Sequence, residues 1–186
     1  AEDEIITAGL SFYSIILSVL LRGHNIIYLD IDKNLNMVLD DNKISANTKL
    51  IIVSHLFGYS QNMENVTAFA KKHNLKIIED CSHAHGAEYN KSKVGSFGDI
   101  SFFSFQGSKA VSGGEAGFAL TNDTKYYNRM KLYSHTGRDM SDFVSKESFF
   151  SRSGFGLKGR MHPFAAALAT VELSNLEINN FKMKNN

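Results

Sequence analysis

Cysteine is nearly absent from this chain of 186 residues: Cys81 stands alone. One thiol forms no internal disulfide, which fits a reducing compartment. Long apolar runs are missing as well. No run of eighteen apolar residues occurs, and the best candidate, residues 15–21, is short and stops at Arg22; a membrane span is not expected. Charge of one sign is also lacking. The chain has 20 Lys and Arg against 19 Asp and Glu, a net charge of +1, and the charges are dispersed, so no basic stripe points to nucleic acid. The first six residues are acidic where a signal peptide would be basic. Internal repeats and linkers are absent. What remains, with 43% hydrophobic residues, is enough to bury the core of one soluble, cytoplasmic α/β domain.

The order of elements supports that class. Residues 4–8 read as a strand, 12–21 as a helix and 26–30 as a strand. Another apolar run, 50–54, ends at His55. Met63, Val66, Phe69 and Ala70 recur at helical spacing and predict a helix over 62–72. A strand over 76–79 follows. Strand, helix, strand in repetition favours parallel strands with crossover helices. A helix is predicted over 123–134, and 141–159, rich in Ser, Gly and Phe without period, reads as a loop. Phe164, Leu168, Val171 and Leu176 predict a last helix with Pro163 in its first turn. The polar tail 179–186 is expected to fray.

The chain is organised around residues 75–121. An apolar run, 75–78, ends in Glu79 and Asp80. A second, 100–105, delivers the turn Gln106-Gly107-Ser108-Lys109. Glycines at 113, 114 and 117 precede a third run over 118–121. Such short runs bounded by turn residues read as buried strands. A lysine on a Ser and Gly loop between two of them is poorly placed for a solvated role. Partial desolvation would depress its pKa and make it a usable amine nucleophile. An acid at the end of a neighbouring strand suits a protonated heterocyclic nitrogen. Together these suggest a Schiff-base lysine holding pyridoxal phosphate, with Asp80 facing the pyridinium. Glu79 competes for that role, but strand alternation puts it on the opposite face.

The segments IIEDCSHAHGA, KVGSFGDI, FSFQGSK and GGEAGF, in this order and spacing, resemble the sugar aminotransferases of the DegT/DnrJ/EryC1/StrS family. The resemblance covers nearly the whole chain. It implies the large domain of a fold-type I, pyridoxal-phosphate-dependent transferase: α/β, a mostly parallel mixed sheet flanked by helices, in one domain over 1–186. It implies an aminotransferase that moves an amino group from glutamate to a nucleotide-linked keto sugar, for polysaccharide, glycan or antibiotic synthesis. An aminocyclitol or aminobenzoate-type synthase of the same family stays open. So does a non-catalytic binding relative with a vestigial site. A dehydratase branch has histidine in place of the lysine, and Lys109 argues against it.

Carried over residue by residue, the resemblance makes Lys109 the covalent partner of the cofactor and the proton carrier during transfer; the plainer reading is a solvated loop lysine. Asp80 pairs with the pyridine nitrogen, against the plainer reading of a turn or cap aspartate. His83 contacts the cofactor's ring oxygen, and His85 ranks below it. Ser104, five residues before the lysine, binds the phosphate. Phe12 stacks on the ring, unless it is simply core. Arg160 reaches the cofactor phosphate of the neighbouring subunit, which implies a homodimer with a shared active site. The family has Asn two positions before that Arg and an aromatic between; here they are Lys158 and Gly159. Glu115 shapes the lysine turn or forms a buried pair, and His55 matches a recurrent position. A metal at Cys81, His83 and His85 is discounted, because no second cluster completes a tetrahedral set.

Against the family pattern the chain lacks the N-terminal segment, whose Gly-Ser/Thr-Ala turn opens a helix under the phosphate, and the C-terminal small domain. It is expected to be an incomplete large domain. Half of the phosphate cup would then be missing, and weak cofactor binding by this chain alone is the expectation.

Overall fold

A computed structural model describes residues 3–134 and 157–184. Six strands form the main sheet: β1 (Glu4–Ala8), β2 (Asn25–Leu29), β3 (Thr48–Ser54), β4 (Lys76–Asp80), β7 (Ile100–Ser104) and β8 (Gly117–Leu120). Their order is β2-β1-β3-β4-β7-β8. Every neighbouring pair is parallel except β7 and β8, which run antiparallel. The mostly parallel mixed sheet read from the sequence is the one observed. Parallel strands of this kind are buried on both faces, and so their sequences run apolar without clean alternation.

Two helices cover the two faces. α1 (Tyr13–Leu21) buries Ile15 and Val19 against Ile5 and Ile52, with Ile26, Leu50, Ile78 and Phe102 packed around them. α2 (Met63–Lys72) starts at Asn62, whose side chain accepts from the amide of Asn65. That cap is the usual device for an orphan donor of the first turn. α2 buries Met63, Val66, Phe69 and Ala70, and these join Ile6, Ala8, Leu29, Ile51, Val53 and Ile77 in the larger core. Within β4, then, Ile78 belongs to the α1 side and Ile77 to the α2 side. With a period of two, Asp80 follows Ile78 and Glu79 follows Ile77. Ser54, in register with Asp80, also faces α1.

α3 (Thr124–Ser134) follows β8, and α4 (Pro163–Ser174) and α5 (Leu176–Lys184) close the chain. Pro163 stands in the first turn of α4, where its missing N–H costs nothing, and His162 Nδ1 accepts from the amide of Phe164. Two differences from the sequence reading appear here. The last helix breaks at Asn175, the C-cap of α4. Beyond it, the expected frayed tail from 179 is helical as far as Lys184. One long-range contact gives a reason: Asn180 Nδ2 donates to the carbonyl of His85 at 3.0 Å, a tie across the fold that local polarity does not reveal. A short hairpin, β5 (Glu88–Tyr89) with β6 (Ser92–Lys93), was also not anticipated. Its turn puts Asn90 and Lys91 at positive φ, the backbone a two-residue hairpin loop needs. The loop expected over 141–159 lies mostly outside the described residues.

Candidate active site

The chain leaves β1 in one direction across the sheet, to β2, and then returns to the other side of β1 with β3. Ligands of open α/β sheets bind outside the carboxyl ends of the strands at such a reversal. A cavity of about 720 Å3 opens there. Phe12 and Ser14 follow β1, Ser54 ends β3 with His55 next to it, Asp80 ends β4 with Ser82 and His83 beyond it, and Ser104 ends β7 with Lys109 beyond it; all of them line the cavity. Five residues singled out from the sequence, Phe12, Asp80, His83, Ser104 and Lys109, are therefore brought together. Arg160 is exposed and lines no part of the cavity in its own chain.

Asp80 is buried. Its Oδ1 accepts from the amide of Ser82 at 3.0 Å; Oδ2 has no such bond among the described residues. The carboxylate is thus aimed and half used. Beside it, Ser54 Oγ is buried with no partner among the described residues. The Ser104 hydroxyl accepts from the amide of Gln106 at 3.2 Å, which leaves its proton free to donate. Gln106 Oε1 takes the amide and hydroxyl of Ser108, at 2.9 and 2.6 Å, and its carbonyl takes the Lys109 amide at 2.9 Å. This closed loop holds Lys109 half-buried, and its amine makes no ion pair or hydrogen bond among the described residues.

His83 stands at the rim. Burial depresses its pKa, the Lys109 ammonium adds to the effect, and the Asp80 carboxylate opposes it. Both charges lie close enough to act on one imidazole. Phe12 is not core: the residue is 54% exposed, and its ring tilts against Tyr13, with centroids 4.5 Å apart. Glu115 is exposed, so the buried pair considered for it does not form. His85 is buried between Phe103 and Phe105, and the His85 pKa is pulled down by burial.

Under the site lies a structural network on the other face. Glu79 is fully buried. Its Oε1 accepts from the amides of Phe97 and Gly98, at 2.8 and 2.6 Å. Oε2 accepts from the amide of Gly95 at 2.7 Å and from His55 Nε2 at 3.1 Å. The amide of Gln61 points at His55 Nδ1, 3.1 Å away, so the ring proton sits on Nε2. Gly95 has φ +90, and a Cβ there would lie 2.9 Å from the Phe103 ring; only glycine brings this loop so close. Burial pushes the Glu79 pKa up, but the bonds from His55 and from the Gly95 and Gly98 amides outweigh it and hold the pKa low. His55, Glu79 and Cys81 place ligand-type atoms within 4.8 Å of one another. Those of Glu79 and His55 are already engaged, and burial followed by the nearby carboxylates drives the Cys81 pKa far up. That is a hydrogen-bonded core, unlike an open metal site.

Sequence reasoning named His55 without a role and missed Ser54, Ser82 and Gln106. Ser82 could have been found as the small residue two after Asp80, where an aspartate turn takes its donor. Ser54, a serine closing an apolar run, gave only a faint signal.

With this geometry established, comparison with known proteins defines the class. The DegT/DnrJ/EryC1/StrS aminotransferase family model matches residues 1–186, and the chain belongs to that family. It is 39% identical over 178 residues to a GDP-perosamine synthase of Escherichia coli O157:H7, spanning 94% of this chain and 47% of that protein. To an L-glutamine:2-deoxy-scyllo-inosose aminotransferase of Streptoalloteichus tenebrarius it is 36% identical over 144 residues, 75% of this chain and 34% of that protein. Among solved structures it is similar to Helicobacter pylori PseC, an aminotransferase involved in the biosynthesis of pseudoaminic acid. There the TM-score is 0.84 at 31% identity, covering 95% of this chain and 47% of that one. The chain thus spans about half the length of the relatives it matches.

Proposed function

We propose that this chain carries the cofactor site of a pyridoxal-phosphate-dependent aminotransferase that acts on nucleotide-linked keto sugars, with glutamate as amino donor. The observation that supports it is the convergence of Lys109, Asp80, His83, Ser104 and Phe12 on one cavity at the strand ends. The residues fit the cofactor chemically. Asp80 has a free carboxylate oxygen for a protonated ring nitrogen, the Ser104 hydroxyl can donate to a phosphate, and the Lys109 amine is unengaged. Bound there, pyridoxal phosphate supplies an electron sink for charge developing on the substrate carbon. Asp80 keeps the ring nitrogen protonated. Lys109 would hold the cofactor through its aldehyde carbon, and its amine would be the group placed to carry a proton at the substrate carbon. The family membership and the perosamine synthase likeness support the sugar. Arg160, exposed and away from its own cavity, supports a homodimer in which it serves the neighbouring subunit's phosphate. A single cysteine, and no described helix long and apolar enough to cross a membrane, agree with a cytoplasmic place.

The test is an absorbance spectrum of the purified chain with pyridoxal phosphate, before and after glutamate, with Lys109→Ala alongside. A visible band beyond that of free cofactor, which glutamate bleaches and the variant lacks, is the expected result. A wild-type chain that shows no band beyond that of free pyridoxal phosphate at any cofactor concentration would refute the reading. The inosose aminotransferase likeness favours a second reading, an aminocyclitol enzyme using glutamine; bleaching by glutamine but not glutamate would select it.

A further inference from the structure

We propose that Phe57 is a positioning residue, whose ring and amide hold the His83 imidazole in one orientation at the rim of the cavity. The inference rests on the reading of His83 as a contact of the bound ring.

Three anomalies meet at Phe57. It is a bulky residue at φ 56 and ψ 22, in the left-handed region where such side chains are outliers. The residue is 67% exposed, so burial gives little to offset that strain. And the ring stacks on the imidazole of His83, centroids 5.8 Å apart and planes 23° from parallel. The Phe57 amide also points at His83 Nδ1, at a long 3.5 Å. Strained residues persist where the surroundings over-determine them, and they gather at functional sites.

The surroundings are visible. Phe57 and Gly58, φ 85, are the central pair of a tight turn closed by the Tyr59 amide on the Leu56 carbonyl at 2.9 Å. The turn is anchored on its N-terminal side by His55, which is tied to Glu79 and Gln61 and whose amide bonds the Asp80 carbonyl at 3.0 Å. On the other side, a Cβ at Gly58 would sit 3.6 Å from the His83 carbonyl. The turn therefore lies over residue 83 and cannot swing away without breaking the end of β3. With Nδ1 facing the Phe57 amide, the neutral His83 ring carries its proton on Nε2 and offers the cavity a donor.

Glycine at 57 separates backbone from ring. Phe57→Gly keeps the amide and relieves the left-handed strain, so it should melt no lower than wild type. In the chain without cofactor, NMR should show the His83 titration moving up toward the ordinary histidine value, and its ring protons losing the ring-current shift. Phe57→Tyr should restore both. Lys109 and Asp80, the charges facing His83, and the neighbouring His85 are the same in all three proteins, so the difference belongs to the ring. His83→Gln identifies the signals. If Phe57→Gly does not fold, Phe57→Leu, with bulk but no ring face, replaces it in the comparison. With pyridoxal phosphate added, binding should weaken about 2- to 10-fold, the worth of one hydrogen bond. His83 signals unchanged by loss of the Phe57 ring would overturn the proposal. Changed signals in chains that bind no cofactor would uphold the positioning and refute the reading of the site.

Discussion

Replacing Glu79 by glutamine keeps the shape of the side chain and changes what it can accept. The carboxylate takes four donors: three amides of residues 95–98 and His55 Nε2. A glutamine offers one oxygen and an NH2 group. Whichever way it is turned, two N–H donors then face its nitrogen. His55 cannot adapt by moving its proton, because the Gln61 amide occupies Nδ1. Two hydrogen bonds to a charged acceptor are lost at about 1.5–3 kcal/mol each, a total of about 3–6 kcal/mol. At roughly 2–4 °C per kcal/mol for a chain of this size, Tm should fall by about 6–24 °C. Thermal and urea unfolding followed by circular dichroism would measure it. The pH dependence is a second check. A carboxyl whose folded pKa is lowered adds stability above its unfolded value of about 4.3, and that stability is lost as pH falls through the lower folded value. The gap between wild type and Glu79→Gln should therefore be full at pH 7 and close in acid. A loss under about 1 kcal/mol at pH 7, or a gap that widens in acid, would refute the reasoning.

Met63 is fully buried where α2 meets the sheet; Met63→Ala should cost about 2–5 kcal/mol with an unchanged urea m-value, since it leaves a cavity in an otherwise intact fold. Cys81 is buried, with its thiol pKa driven up by burial and then by Glu79 and Asp80. It should resist alkylation at pH 8 in the native chain and react once urea unfolds it; fast native labelling would contradict that burial.

The sequence by itself determined the fold class and the family. The strands read over 4–8 and 76–79, the helix read over 62–72 and the lysine after a small-residue turn are local patterns, and apolar spacing with turn chemistry is enough to find them to within a residue. Alternation alone put Asp80 and Glu79 on opposite faces, and the sheet agrees: Asp80 lines the cavity, while Glu79 binds the loop at 95–98 beneath it. The tertiary structure decided the rest. That Glu79 needs three amides sixteen to nineteen residues further on is invisible in its own neighbourhood. That Phe57 lies on His83, twenty-six residues away, depends on β3 and β4 being parallel neighbours in register. The stretch from 179, polar enough to pass for a frayed tail, is helical as far as Lys184, and Asn180 ties it to the carbonyl of His85. Periodicity records which face of an element is apolar; only the packed chain shows which distant backbone groups its polar atoms must satisfy.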